Sequence, residues 1–367
     1  MKRILAGLFF GLILLYNGTA LGEGAKSAVL IEMETGRVLY EQNAHQALPM
    51  ASTTKIMTAL LALEKGNLSD TVTAGPNAYG VPGTSIYLEL GEQLTLEEML
   101  LGLMLSSGND AAVAIAEHIG GTVEEFCCMM TERAAEIGCE NTLFQTPHGL
   151  PNANHHTTAW DLALIAREAM KIPAFREIVS TQRASLPWMN HEYNRVLTNK
   201  NRLLSSYPGA TGIKTGYTRA AGRCLVFSAQ REGLHLIGAV LNCPDWFDEA
   251  EAILDRGFSE WQMVTLYNAG ETVRQVPVKN AAEKTVGAKA AYNVAAPVSV
   301  SAWPDLIIDL PDVLEAGIAE GEVIGTASLR DGNEIILTVP LVADRAAPPN
   351  AFRYRLERIL SLWGSGI

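Results

Sequence analysis

The spacing of apolar residues changes once along the chain, near residue 258. Before that point, alternating apolar runs at 28–41 and 223–243 bracket long stretches in which apolar residues recur every three or four positions. Strands at both ends with helices between them predict an α+β domain whose antiparallel sheet is covered by helices. The predicted helices cover 52–65, 95–105, 109–119, 123–137, 158–170 and 249–254.

Beyond residue 258 the apolar runs become short and alternating, and glycine, proline and asparagine interrupt them. This pattern predicts a small all-β domain over residues 266–344. No catalytic constellation occurs there, so we expect this domain to hold the α+β domain away from a membrane. Binding of a partner protein is the alternative.

The N-terminal segment differs from both domains. Residues 1–22 combine a basic start at Lys2 and Arg3, an apolar run and a small residue at Gly22, which predicts a secretory signal peptide cleaved near Gly22. The apolar run is short for a membrane span, and a retained N-terminal anchor is the alternative. We expect the α+β domain to occupy residues 25–265.

The C-terminal segment, residues 345–367, predicts a basic amphipathic helix. Five large apolar residues recur there at helical intervals, and three arginines fall on the remaining faces. Such a helix binds the surface of an anionic membrane, and the alternative is a terminal helix packed against its own protein. The apolar residues are Phe352, Leu356, Ile359, Leu360 and Trp363, and the arginines are Arg353, Arg355 and Arg358.

Charge and composition exclude several classes of function. The 367 residues carry a formal net charge of −12, and the isoelectric point lies near 5.1, which argues against a nucleic-acid partner. The five cysteines are odd in number and have no C-x-x-C spacing, and the histidines show no H-E-x-x-H spacing. We therefore predict no disulfide framework, no metal site and no cofactor.

Ser52 and Lys55 form the most informative pair of residues. The segment Ser52-Thr53-Thr54-Lys55 precedes an apolar helical run, so both side chains leave the same face of a helix one turn apart. A neutral amine in that position can accept the proton of a serine hydroxyl that attacks a carbonyl carbon. Alone, the pair is more typical of a capping serine and a solvated lysine, so the interpretation depends on partners elsewhere.

Two such partners follow, at Ser107-Gly108-Asn109 and Lys214-Thr215-Gly216. The ordered triple resembles the penicillin-recognising serine acyl-transfer enzymes. Within that group the chain resembles the low-molecular-weight D-alanyl-D-alanine carboxypeptidases, serine peptidase family S11, over about residues 25–265. The segments that resemble this family also include residues 34–40, 85–88, 147–150 and 212–218.

Residue chemistry alone suggests roles for the last motif. Lys214 is a second cation that would lower the pKa of Lys55 and favour its neutral form. Gly216 has no Cβ, so an extended peptide can lie against its strand as an added strand. Thr215 is then expected to hold the terminal carboxylate of that peptide.

The resemblance implies further roles. Ser107 would relay a proton to the departing amine, and Asn109 would orient Lys55 and hold the substrate backbone. The backbone N–H groups of Ser52 and Tyr217 would form the oxyanion hole. The family usually supplies an arginine for the carboxylate as well, which the sequence does not identify. The candidates are Arg219, Arg223 and Arg256.

The resemblance predicts a serine-type carboxypeptidase that removes the terminal D-alanine from peptidoglycan stem peptides through a Ser52 acyl-enzyme and is inhibited by penicillin. The alternatives are a serine β-lactamase and a catalytically silent penicillin-binding or wall-binding module. A class A β-lactamase needs a deacylating glutamate, and residues 141–160 contain no acid, so we expect slow release of bound β-lactam. We expect the enzyme at the outer face of the cytoplasmic membrane, anchored by the C-terminal helix.

Overall fold

The computed structural model describes residues 24–350 together with Phe352, Leu356, Ile359 and Leu360. The predicted signal peptide therefore lies outside the described residues, as does most of the predicted C-terminal helix. Residues 345–350 of that segment are not helical, whereas the four described residues beyond them are helical and exposed.

Eight α-helices and seventeen β-strands are formed by the described residues. The helices are α1 (Lys55–Lys65), α2 (Leu96–Leu105), α3 (Asn109–Gly120), α4 (Val123–Ile137), α5 (Ala159–Met170), α6 (Pro173–Ser180), α7 (Leu203–Ser206) and α8 (Trp246–Glu260). The first nine strands are β1 (Ser27–Glu32), β2 (Val38–Gln42), β3 (Thr71–Thr73), β4 (Gln93–Thr95), β5 (Arg183–Leu186), β6 (Arg195–Thr198), β7 (Ala210–Thr218), β8 (Gly222–Arg231) and β9 (Leu234–Leu241). The remaining strands are β10 (Trp261–Tyr267), β11 (Thr272–Lys279), β12 (Thr285–Ala290), β13 (Val294–Ser299), β14 (Asp305–Asp309), β15 (Leu314–Glu315), β16 (Val323–Asp331) and β17 (Glu334–Ala343).

An antiparallel five-stranded sheet in the order β2-β1-β9-β8-β7 forms the centre of the α+β domain. The first and last strands of the domain meet because β1 pairs with β9, for example Leu30 with Gly238. This closure places β7, which carries the Lys214-Thr215-Gly216 motif, at one edge of the sheet. The predicted α+β architecture is confirmed.

Helices cover both faces of this sheet because its central strands are buried on both sides. Val29 and Ile31 of β1 belong to the large core shared with α1 to α6, whereas Leu30 faces the smaller core under α8. The predicted helix at 249–254 extends over Trp246–Glu260, since Phe247, Ile253 and Leu254 continue its buried face. Helix α6 and the hairpin β5–β6 have no counterpart in the predictions.

Side-chain caps fix several helix starts. Thr158 accepts a hydrogen bond from the backbone N–H of Asp161 and so caps the start of α5. Thr95 and Glu98 form a complete capping box at the start of α2. Since α2 leads directly into the Ser107 segment, this cap helps to fix where the segment begins.

The C-terminal part is an all-β domain. A six-stranded sheet in the order β14-β16-β17-β12-β11-β15 lies beside the two-stranded pair β10–β13. Its core is apolar and is composed of Val276, Ala288, Ala290, Val294, Ala296, Leu310, Ala327, Leu329, Val339 and Leu341. The predicted boundary at 265/266 falls inside β10, which pairs with β13 from Trp261 onward.

Arg37 joins the two domains. This side chain of the β1–β2 hairpin donates hydrogen bonds to the carbonyl of Pro297 (2.8 Å) and to the carboxylate of Asp331 (2.6 Å). Its guanidinium also lies 4.7 Å from the ring centroid of Trp261. Within the described part of the chain, no helix has the length and hydropathy needed to cross a bilayer.

Candidate active site

The predicted nucleophile lies on a tight turn in front of α1. A 3-10 turn, Ala51–Thr54, runs directly into the helix, and Ala51 adopts a left-handed φ of +49°. This geometry places the Lys55 Nζ 3.1 Å from the Ser52 Oγ. The pair predicted from the S-x-x-K spacing therefore does come together.

Lys55 is held by two further oxygen atoms. Its Nζ donates to the Asn109 Oδ1 and to the backbone carbonyl of His148, both at 2.7 Å. A neutral amine has two N–H groups, and these two acceptors use both of them. The remaining lone pair is then free to accept the hydroxyl proton of Ser52.

Burial and neighbouring charge favour that neutral form. The Lys55 side chain is fully buried, and burial lowers its pKa well below the usual value. The charges of Lys214 and Lys200 lower it further, and Asp110 opposes them. Burial also lowers the pKa of Lys214 to about 7, with a smaller contribution from Lys200. The predicted effect of Lys214 on Lys55 thus has a structural basis.

The Ser107 segment is fixed by hydrogen bonds from a preceding loop. Ser107 has a left-handed φ of +63°, and its carbonyl accepts a hydrogen bond from the Thr84 hydroxyl at 2.5 Å. The backbone N–H of Asn109 donates in turn to the Thr84 carbonyl at 2.7 Å. The amide of Asn109 also donates to Pro82, so Asn109 contacts Lys55 with one end and this loop with the other.

Strand β7 lies directly against the nucleophile turn. A Cβ built on Gly216 would be 3.0 Å from the backbone nitrogen of Ser52, closer than ordinary contact distance. Glycine therefore allows the strand and the turn to approach each other. Lys214 is buried beneath this contact, and its Nζ donates to the Thr215 carbonyl at 3.0 Å rather than to Ser52. Tyr217, the next residue, is 61% exposed.

A buried histidine supports the same turn from behind. The backbone N–H of Gln145 donates to His155 Nδ1, so Nε2 carries the proton and donates to the Thr54 hydroxyl at 2.7 Å. That hydroxyl donates to the carbonyl of Ala51 at 2.8 Å. Burial lowers the pKa of His155 to about 4, which keeps it neutral. No motif in the sequence marks this residue, because only the fold brings it beside Thr54.

His148 lies in a turn that contacts Lys55. Its Nδ1 accepts the N–H of Leu150, which closes the turn that directs the His148 carbonyl at Lys55. Gly149 within this turn has φ +85°, and a Cβ there would lie 1.8 Å from the Ala51 carbonyl. No larger residue fits in this position.

The predicted motifs line one cavity of about 400 Å³. Lys200 is the one basic side chain among the lining residues in the part of the chain that the structure describes. It was not predicted, because no motif in the sequence marks it. The lining residues are Ser52, Gly83, Thr84, Ser107, Asn109, Gly149, Leu150, Lys200, Thr215, Gly216, Tyr217, Thr218 and Trp246.

The three candidate arginines do not line this cavity. Arg256 forms an ion pair with Glu260, and Arg223 donates to the carbonyl of Pro244. Arg219 is exposed at the start of the β7–β8 turn. Lys200 is exposed as well, but it lies at the cavity, where desolvation lowers its pKa.

Comparison with known proteins agrees with this geometry. The family model described as D-alanyl-D-alanine carboxypeptidase matches residues 19–245. The chain is 35% identical to D-alanyl-D-alanine carboxypeptidase DacF of Bacillus subtilis over 99% of both chains. The chain belongs to the D-alanyl-D-alanine carboxypeptidase family. A second family model, the C-terminal domain of penicillin-binding protein 5, matches residues 261–348.

Two further relatives resemble this carboxypeptidase over most of its length. D-alanyl-D-alanine carboxypeptidase DacC of Escherichia coli is 33% identical and is aligned over 87% of this chain and 83% of its own. The crystal structures of penicillin-binding protein 5 from Haemophilus influenzae match with a TM-score of 0.76 at 28% identity, covering 89% of this chain and 98% of that one. The protein is a serine-type D-Ala-D-Ala carboxypeptidase that acts on peptidoglycan and binds β-lactams.

Proposed function

We propose that this carboxypeptidase removes the terminal D-alanine through an acyl-enzyme on Ser52, with Lys55 as the base. The observation that carries the proposal is the arrangement of Lys55 Nζ, whose two N–H groups have acceptors in Asn109 and His148 while Ser52 Oγ lies 3.1 Å away. The amine cannot turn its lone pair away from Ser52 without breaking these two short hydrogen bonds.

In the acylation step, the Ser52 hydroxyl gives its proton to Lys55 as the oxygen attacks the carbonyl carbon of the scissile bond. The backbone N–H groups of Ser52 and Tyr217 receive the charge that develops on the carbonyl oxygen. The C–N bond then breaks, and the proton reaches the departing D-alanine amine through the Ser107 hydroxyl. Water cleaves the resulting ester and restores Ser52.

We infer that Lys200 and Thr215 receive the carboxylate of the substrate. Thr215 lies on the strand wall of the cavity, and Lys200 brings a positive charge to the same space. A charge-assisted hydrogen bond of this kind contributes roughly 1.5–3 kcal/mol.

The substitution Lys200→Gln tests this assignment. It should raise KM about 10-fold for a peptide with a free C-terminal carboxylate. The KM for the same peptide with a C-terminal amide should not change. Lys200→Arg should restore binding, and an equal effect on acid and amide would contradict this assignment.

The central experiment combines mass spectrometry with D-alanine release. The enzyme should carry a penicilloyl adduct on Ser52 and should release D-alanine from a peptide ending in D-Ala-D-Ala. Both signals should vanish in Ser52→Ala and persist in Ser69→Ala, an exposed serine that serves as control. Release that continues in Ser52→Ala would overturn the proposed mechanism.

Slow release of the penicilloyl group is part of the same proposal. None of the described residues that line the cavity is an aspartate or a glutamate, so no carboxylate lies ready to activate a deacylating water. Turnover of a chromogenic cephalosporin at the rate of a β-lactamase would contradict this proposal.

We further propose that residues 1–22 are a signal peptide and that the C-terminal helix anchors the exported enzyme to the outer face of the cytoplasmic membrane. Phe352, Leu356, Ile359 and Leu360 support the anchor because they are helical and between 45% and 79% exposed. An apolar stripe flanked by arginines is suited to an anionic bilayer surface. The β domain would then act as the spacer between membrane and active site.

Vesicle co-sedimentation tests the anchor. The protein without residues 1–22 should sediment with vesicles of phosphatidylglycerol and phosphatidylcholine, and Leu356→Ser with Leu360→Ser should weaken binding. Ile335→Ser, which changes an exposed residue of β17, serves as the control. Equal sedimentation of all three proteins would contradict the anchor. N-terminal sequencing of the exported protein should start near Glu23.

A further inference from the structure

Tyr87 shares an unusual backbone conformation with two residues of the catalytic site. Eight described residues other than glycine have a left-handed φ. Five of them are asparagines or Glu232, residues that tolerate this conformation or lie in a hairpin turn. The remaining three are Ala51, Ser107 and Tyr87, with φ values of +49°, +63° and +60°.

This conformation is costly for a residue with a Cβ. A left-handed residue of this kind loses roughly 1–2 kcal/mol, and a bulky aromatic one is a strong outlier. Such conformations persist where surrounding contacts enforce them, and they cluster at functional sites. Ala51 and Ser107 fit that rule because they position the nucleophile turn and the second catalytic motif.

Asp110 enforces the conformation of Tyr87. Its carboxylate is buried and accepts the backbone N–H groups of Ile86 (3.1 Å) and Leu88 (3.0 Å), the two neighbours of Tyr87. The side chains of both neighbours are 3% exposed, whereas Tyr87 is 71% exposed. The chain therefore bends outward at one residue, and that residue presents its ring to solvent.

The exposed ring is tied to the catalytic residues. Asp110 follows Asn109 directly at the start of α3, and Ser85 donates its hydroxyl to the same carboxylate at 2.6 Å. Thr84, one residue earlier, is hydrogen-bonded to Ser107 and Asn109 and lines the cavity. Tyr87 thus stands three residues beyond the cavity wall on a segment that is fixed to the catalytic motif.

A second element holds the segment from the other side. Arg195 of β6 donates to the carbonyl of Ile86 at 2.9 Å and forms a buried ion pair with Glu92. Because Arg195 is only 4% exposed, this contact is part of the packed interior. The backbone of Tyr87 is consequently fixed before any substrate arrives, which lowers the entropy lost on contact.

We propose that Tyr87 is a binding subsite for the peptide segment upstream of the scissile bond. The proposal rests on the proposed function, which assigns the terminal carboxylate to Thr215 and Lys200. Gly83 and Thr84 line the cavity and stand three to four residues before Tyr87 on the same segment, so this segment provides a path for the upstream end of the peptide. The ring packs against the backbone and aliphatic groups of the residues that precede D-Ala-D-Ala. The enzyme therefore selects longer peptides over the bare dipeptide terminus.

The test compares two substrates that share the same terminus. One is acetyl-D-Ala-D-Ala, and the other is a five-residue peptide that ends in D-Ala-D-Ala. The variants are Tyr87→Asn, whose new residue tolerates the left-handed backbone, and Tyr87→Phe, which keeps the ring. Tyr79→Asn, an exposed tyrosine of the same connection, is the matched control.

Tyr87→Asn should lower kcat/KM for the five-residue peptide about 5- to 10-fold, as loss of one aromatic contact allows, and should leave the short substrate unchanged. Its Tm should not fall, and Tyr87→Phe and Tyr79→Asn should behave like the unaltered enzyme. Equal effects on both substrates, or no effect on either, would overturn the assignment of Tyr87. The proposed function would still stand in that case if Ser52 became penicilloylated. Failure of the unaltered enzyme to release D-alanine would overturn both.

Discussion

The two domains bury different kinds of residue. The α+β domain encloses charged and polar side chains, among them Lys55, Lys214 and Asp110, each at most 1% exposed. Among the described strands of the β domain, Ser328 is the one buried polar residue. Burying an amine is unfavourable unless the fold supplies partners, so the α+β domain retains these residues at the expense of stability.

This difference indicates where chemistry constrains the sequence. In the α+β domain, the unfavourable burial of Lys55 lowers the pKa of its amine and so favours the neutral form that can accept a proton. In the β domain, an apolar core such as that around Leu329 serves stability alone. Substitutions of buried residues should therefore lower activity more than stability in the α+β domain. In the β domain they should lower stability more than activity.

The largest expected effect is on activity, from Lys55→Met. Removing the base should lower the rate of Ser52 acylation by roughly 10³-fold. The Tm should change little, because relief of the buried amine offsets the loss of its hydrogen bonds to Asn109 and His148. Stopped-flow acylation with penicillin and thermal unfolding measure the two quantities. Lys65→Met, at the exposed end of the same helix, should change neither. A large loss of stability in Lys55→Met would contradict the comparison.

The β domain should give the reverse result. Leu329→Ala removes a fully buried side chain and should lower the free energy of unfolding by about 2–5 kcal/mol. The kcat/KM for a short peptide should remain unchanged at a temperature where the protein is folded. Ile335→Ala, a 58% exposed position in the same hairpin, should cost far less. The comparison would fail if Leu329→Ala reduced activity as strongly as stability.

His155 should link stability to pH in the α+β domain. Its pKa falls from about 6.5 to about 4 on folding, so its contribution is complete above pH 6.5 and is lost as pH falls toward 4. Between pH 7 and 5 the loss should be on the order of 1–2 kcal/mol. Urea unfolding at both pH values should show a smaller loss in His155→Gln than in His156→Gln, its neighbour. Identical losses would refute this account.

The smallest expected effect concerns the acid limb of the pH profile. The charge of Lys200 lowers the pKa of Lys55 and of Lys214, so Lys200→Gln should raise both pKa values. Because acylation needs a neutral base, the acid limb of the penicillin acylation rate should move to higher pH. Lys200→Arg keeps the charge and should leave the limb in place. A shift to lower pH in Lys200→Gln would be inconsistent with this mechanism.

Much of the local structure was predictable from the chain. The spacing of apolar residues predicted the positions of α1 to α5, because this pattern depends on neighbours within one or two helical turns. Helix α6 and the hairpin β5–β6 were missed because their short runs acquire their burial only from the rest of the fold. The start of α8 was missed because Phe247 becomes buried only when the helix packs on the sheet.

The sequence by itself determined that Ser52 and Lys55 meet, since an interval of three residues on a helix fixes their separation. It also determined the three motifs and hence the family. The tertiary structure decided that Lys55 is buried, that Lys214 and Lys200 act on it, and that Asp110 turns Tyr87 outward. These effects arise between residues far apart in the chain, where proximity and exclusion of water exist only after the whole domain has packed.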